Sequence, residues 1–140
     1  GNLKEIGWHD IEITEKGSRD IFNGITTLKN TVFQWHGDTF ELPESAIILA
    51  TSDTYVQAFR IKTAIGIQFH IEVDESMIDE WIGVYSKEIS DLNLDKSSII
   101  SHQKKQILNL LILCKLIYNN FKKMIHYYND KYHHQEYQKK

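Results

Sequence analysis

Only one cysteine, Cys114, and one proline, Pro43, occur in 140 residues. A lone cysteine excludes an intramolecular disulfide framework and suits a reducing compartment, so a cytoplasmic location is expected. Long hydrophobic runs are also lacking. The nearest, "ILNLLILCKLIY", falls short of the ~18 apolar residues of a membrane span and carries Asn109 and Lys115. No signal-peptide pattern opens the chain. Basic charge is not in excess: the formal net charge of -3 leaves no footprint for nucleic acid. There is no Gly-x-Ser-x-Gly elbow, no glycine-rich phosphate loop and no internal repeat. No cofactor is expected.

What is present suits one soluble, globular domain. Hydrophobic residues make up 41% of the chain and charged residues 25%. A domain of this size buries roughly two thirds of its unfolded surface, which is enough for a real core.

Strand patterns come first. "KEIGWHDIEIT" (Lys4 to Thr14) alternates, and "EKGSRDIFNGI" is turn-rich. "TVFQWHGD" is a strand running into a glycine-containing loop, and "LPES" is a turn. "AIILATS" reads as a strand covered on both faces. "VQAFRIK" and "AIGIQFH" form a hairpin joined near Lys62 and Thr63.

The period then changes. "DESMIDEWIGVYSKEI" spaces its apolar residues by three and four, as one amphipathic helix with Asp74 or Ser76 as its cap. "SDLNLDKSS" reads as a linker. A long helix is expected from about Ser98 to Asn129, burying Ile107, Leu110, Leu111, Cys114, Ile117, Phe121 and Ile125. Residues 1–129 form the domain, and 130–140 a polar tail that frays. Strands first and helices last leave an apolar sheet covered on one side only. With Gly1 rather than Met at the start, this order points to further structure: an upstream segment or another subunit.

Chemistry concentrates at two strand ends. His70 and Glu72 are two apart, so on an extended chain they share a face. A carboxylate behind an imidazole is how a general base is oriented. A plain strand-end histidine with a solvated glutamate fits the same spacing. "WHGD" (Trp35 to Asp38) ends another strand, with Gly37 allowing close approach to the backbone. His36, Asp38, His70 and Glu72 together would also suit a metal-dependent hydrolase, although the spacing does not require it. Cys114, in mid-stripe, reads as a core residue rather than a nucleophile. The His133–His134 pair reads as solvated. The residues therefore supply a base and its orienter but no nucleophile.

"KEIGW", "VFQWHGDTFELPESAIILATSDTYVQAFR", "IGIQFHIEV" and "MIDEWI" resemble the C-terminal half of class I glutamine amidotransferase domains. The match is closest to stand-alone proteins similar to the amidotransferase domain of GMP synthase. It covers Gly1 to Trp81 and, more loosely, the final helix. The resemblance implies an α/β fold, a three-layer sandwich around a mixed sheet of flavodoxin-like layout. It implies hydrolysis of the glutamine side-chain amide: a cysteine attacks, a thioester forms, ammonia leaves and water releases glutamate. His70 matches the family's base and Glu72 its orienter. Ile71 stands where the family more often has proline or leucine. Trp35, Gly37 and Asp38 match the loop bordering the substrate pocket.

The family's cysteine and oxyanion hole sit in a glycine-rich turn upstream of the matched half, and Cys114 does not match that position. The chain is therefore expected to be inactive alone. Its substrate would be glutamine or a γ-glutamyl compound. Its partners would be a missing N-terminal half, a synthetase subunit or a homodimer partner, with no nucleic acid, membrane or metal. A non-catalytic binding or regulatory module, paired through its uncovered sheet edge and face, is the alternative.

Overall fold

The computed structural model describes residues 3–137. Five strands come first: β1 (Glu5–Ile13), β2 (Lys29–His36), β3 (Ile47–Thr51), β4 (Val56–Ile61) and β5 (Ala64–Ile67). A one-turn helix α1 (Glu15–Ser18) follows β1. The helices α2 (Glu75–Val84), α3 (Ser86–Asp91), α4 (Lys96–Ser101) and α5 (Gln103–Tyr137) complete the order.

The strands form one sheet in the order β2-β1-β3-β4-β5, and every pairing is antiparallel. The resemblance implies a mixed sheet in a three-layer sandwich; the described residues form a curled antiparallel one. Beyond β5 the chain returns to the opposite edge, where His70 makes an isolated bridge to Phe33 of β2. The curl thus brings the end of the last strand onto the far edge strand.

Alternation decides which side chains enter the core. Phe33 of β2 and Ile11 and Ile13 of β1 are buried against Leu49, Ile78 and Ile89. Each fully buried side chain of this kind contributes roughly 1.5–3 kcal/mol. Gly17 in α1 sits so close to β3 that an added Cβ would lie 2.0 Å from the Leu49 carbonyl oxygen, so no other residue fits without backbone movement. The β4–β5 turn falls at Lys62 and Thr63 as expected, with Lys62 at φ 54°.

Several expectations change. β3 is not covered on both faces throughout: Leu49 and Ala50 are buried, while Ile47 and Ile48 are exposed. Those two pair only with β4, because β1 meets β3 at Ala50 and Thr51 and then turns into α1. The expected single helix through Ile89 breaks at Tyr85 into α2 and α3. Asp74, not Ser76, caps α2: its carboxylate accepts from the Met77 amide at 2.9 Å. The linker is not all loop, since Asp95 caps the extra helix α4.

The final helix keeps part of the expected stripe, with Leu110 and Ile117 buried and Ile107 packed against the core, but it is rotated from the rest. Leu110, Leu113 and Ile117 are buried, whereas Leu111, Phe121 and Ile125 are exposed and Cys114 is half-buried. A polar anchor sets this rotation. Asn120 donates to the carbonyls of Ile21 and Asn23 at 2.9 and 2.8 Å. Helix α5 continues through the expected polar tail to Tyr137. The side chains of His133 and His134, and the residues 138–140, lie outside the described residues.

Candidate active site

The strand-end pair is positioned by the bridge between sheet edges. The His70 amide donates to the Phe33 carbonyl at 2.9 Å, which ties the segment after β5 to β2. Two residues on, Glu72 Oε1 lies 2.7 Å from His70 Nδ1. A carboxylate only accepts, so the proton of this contact sits on Nδ1 and the Nε2 lone pair of the neutral ring is free. The Glu72 side chain is 55% exposed and that of His70 29%. The imidazole is thus held from one side and open on another, which is the geometry of a general base awaiting a proton donor.

Aromatic packing holds the ring from a second direction. Trp81 of α2 meets His70 edge to face, with centroids 4.9 Å apart. Trp35 of β2 packs on Trp81 at 5.8 Å, and Phe33 reaches it at 6.1 Å. The Trp35 indole donates to Glu88 Oε2 at 3.2 Å, and Glu88 is ion-paired with Lys4. The hydrogen bonds from Lys4, foremost, and from Trp35 hold the Glu88 carboxyl below its ordinary range. A chain of contacts therefore runs from Lys4 through Glu88, Trp35 and Trp81 to His70.

The "WHGD" residues divide between two faces, as alternation along β2 requires. Trp35 joins the His70 cluster. His36 points the other way, into a buried polar network. Its Nδ1 donates to the Asp38 carbonyl at 3.0 Å, fixing the turn that follows the strand. Its Nε2 lies 3.1 Å from Glu5 Oε2 without the alignment of a hydrogen bond. Glu5 accepts from Ser52 and from Gln57, each at 2.7 Å, and Gln34 donates to Gln57 at 2.6 Å. The Asp38 side chain is exposed. Over Gly37 the space is taken by Lys4: an added Cβ would come within 2.9 Å of the Lys4 Cγ.

His36 and Asp38 are therefore not brought together with His70 and Glu72. Among the described residues, no three His, Cys, Asp or Glu side chains converge as a metal site. An open cavity of about 460 Å³ lies elsewhere, between Glu5, Trp8, Asp10, Lys29 and Asp53. Among the described residues, no helix is long and apolar enough to cross a membrane.

Sequence reading missed the supports of the site. Trp81 was legible only as part of an apolar stripe. Lys4 and Glu88 are 84 residues apart, and no local pattern joins them.

No protein-family model matches the chain, and no curated protein matches it. Solved structures do. One is a glutamine amidotransferase from Thermotoga maritima, with 32% identity and a TM-score of 0.73 over 89% of this chain and 52% of that one. Another is a glutamine amido transferase from Methylobacillus flagellatus, with 22% identity and a TM-score of 0.74 over 86% of this chain and 53% of that one. The chain spans about half the length of the structures it matches, and over that half its fold is like that of glutamine amidotransferases.

Proposed function

We propose that this chain supplies the base-bearing half of a class I glutamine amidotransferase site, of the kind found in GMP synthase and its stand-alone relatives. The observation that carries the reading is the 2.7 Å contact between His70 Nδ1 and Glu72, held by the bridge to Phe33. The likeness to the Thermotoga maritima structure supports it.

In this reading His70 Nε2 takes the proton of a cysteine thiol as the thiol attacks the side-chain amide of glutamine or of a γ-glutamyl compound. The same imidazole returns the proton to the departing amine, which is ammonia when the substrate is glutamine. Water then attacks the thioester, again with His70 as base, and glutamate leaves. Glu72 holds the tautomer and stabilises the imidazolium as it forms. Trp35, Gly37 and Asp38 border the substrate. The cysteine and its oxyanion donors come from a segment outside these 140 residues, which also completes a mixed, three-layer sheet. Residues 1–129 belong to this domain, and its setting is cytoplasmic. The ammonia passes to a synthetase partner.

A lone base gives no useful rate, because losing one member of a catalytic triad alone costs several orders of magnitude. The test has two parts. The 140-residue chain is assayed for ammonia release from glutamine beside His70→Ala and Cys114→Ser, and none of the three is expected to release it. The contiguous coding sequence upstream is expected to encode a Gly-x-Cys-x-Gly turn, and the extended chain to release ammonia in a His70-dependent way. An upstream sequence without that turn sinks the reading. So does release by the short chain that Cys114→Ser abolishes.

A further inference from the structure

Two features of the candidate site meet in one side chain. The antiparallel register of β1 and β2 sets Glu5 across from His36. One step further along the same register, Lys4 falls across from Gly37. Alternation puts Lys4 on the face of Trp35 and Gly37, opposite to the face that holds Glu5 and His36. That is the face where Trp35 packs on Trp81 and Trp81 on His70. The ladder itself therefore sets Lys4 beside the candidate base.

The stem and the head of Lys4 have different partners. The stem lies over Gly37: a Cβ there would come 2.9, 3.3 and 3.5 Å from Lys4 Cγ, Cε and Cδ. The φ of Gly37 is not positive, so its backbone alone does not demand glycine. What demands it is the stem above. The head is ion-paired with Oε1 of Glu88 in α3, and Oε2 of that carboxylate accepts from the Trp35 indole at 3.2 Å. The backbone before Lys4 is pinned as well. The Tyr55 hydroxyl donates to the Leu3 carbonyl at 2.9 Å and accepts from the Leu3 amide at 3.0 Å.

An ion pair whose side chains are 46% and 27% exposed adds little to stability. Its consequence is geometric. With Glu88 held, the Trp35 indole has a fixed acceptor; with the stem in place, the backbone at Gly37 has a fixed neighbour.

We propose that Lys4 is a positioning residue of the candidate site, a clamp that holds the Trp35 indole through Glu88 and the Gly37 backbone by direct packing. The bearing of this clamp on substrate rests on the amidotransferase reading, in which Trp35 and Gly37 border the glutamine. The clamp itself does not rest on it. Because Lys4 acts through these two residues, its loss weakens substrate binding rather than the chemical step.

The test begins with NMR of the 140-residue chain. Lys4→Met keeps the stem and removes the charge. It is expected to shift the Trp35 indole N–H resonance while the Gly37 amide and the urea midpoint stay close to wild type. Lys4→Ala is expected to shift both resonances, and Lys4→Arg to restore them. Gly37→Ala, which pushes the stem aside, is expected to move the Trp35 indole in the wild-type chain but not in the Lys4→Ala background. An unmoved indole in Lys4→Met overturns the clamp, as does a Gly37→Ala effect that is the same with and without Lys4. In the extended chain, Lys4→Met is expected to raise KM for glutamine about tenfold, the scale of one charge-assisted hydrogen bond, with kcat unchanged. An unchanged KM overturns the bearing on substrate, and so does a fall in kcat alone. An extended chain that releases no ammonia overturns the amidotransferase reading instead, and the spectra then decide the clamp by themselves.

Discussion

Trp81 stands edge-on to His70, with ring planes at 76° and centroids 4.9 Å apart. One residue comes from α2 and the other from the segment bridging β5 to β2, so this contact ties the helical layer to the candidate base. Edge-to-face pairs of this kind add about 0.5–1.5 kcal/mol beyond the area they bury.

Trp81→Ala is expected to cost about 2 kcal/mol, below the range for a fully buried tryptophan because Trp81 is half-buried. The His70 ring resonances should shift with it, since the ring current and the packing go together. Trp81→Phe should retain most of both. Urea unfolding and proton NMR of the imidazole check this. An unchanged His70 spectrum in Trp81→Ala would remove Trp81 from the site.

Glu72→Gln is expected to leave stability nearly unchanged, because the side chain is mostly exposed. The amide can accept or donate, so it no longer selects one tautomer. Nitrogen NMR of His70 should show the Nδ1-protonated form giving way to a mixture. In the complete enzyme, turnover should fall about 10²–10⁴-fold. Full activity in that variant would end the assignment of Glu72 as orienter.

Gln57→Leu tests the interior of the curled sheet. It removes a donor from the buried Glu5 carboxylate and the acceptor used by Gln34. A buried charge stripped of one donor is costly, and about 2–4 kcal/mol is expected. The urea midpoint should fall with little change in slope. A neutral result would mean that water replaces the lost partners.

Acid should loosen the Trp35 end of the site. Hydrogen bonds from Lys4 and Trp35 depress the Glu88 carboxyl below its ordinary value of 4.5. The stability it contributes is complete above that value and is lost as pH falls through the lower, folded one. Tryptophan fluorescence should therefore change below pH 4.5, and Glu88→Gln should reduce that change. An identical acid profile in the variant would show that another carboxylate governs it.

Local patterns made five strands, the hairpin at Lys62 and a cap at Asp74 or Ser76 legible, because each depends on neighbours in sequence. The His70–Glu72 pair was legible for the same reason: two residues apart, one motif. The sequence alone also displayed the apolar residues of α5, but not which of them face the core. Periodicity allows two adjacent stripes on that helix. The choice fell to Asn120, whose hydrogen bonds to Ile21 and Asn23 span almost 100 residues. Likewise, "WHGD" read as one unit, yet the pleat sends Trp35 to Trp81 and His36 to Glu5. The strands and the strand-end His70–Glu72 pair were thus determined by sequence, through short-range geometry. The curl that carries His70 onto β2, the aromatic wall behind it and the exposed stripe of α5 were decided by tertiary structure. Each depends on contacts between distant segments, and no local spacing encodes those.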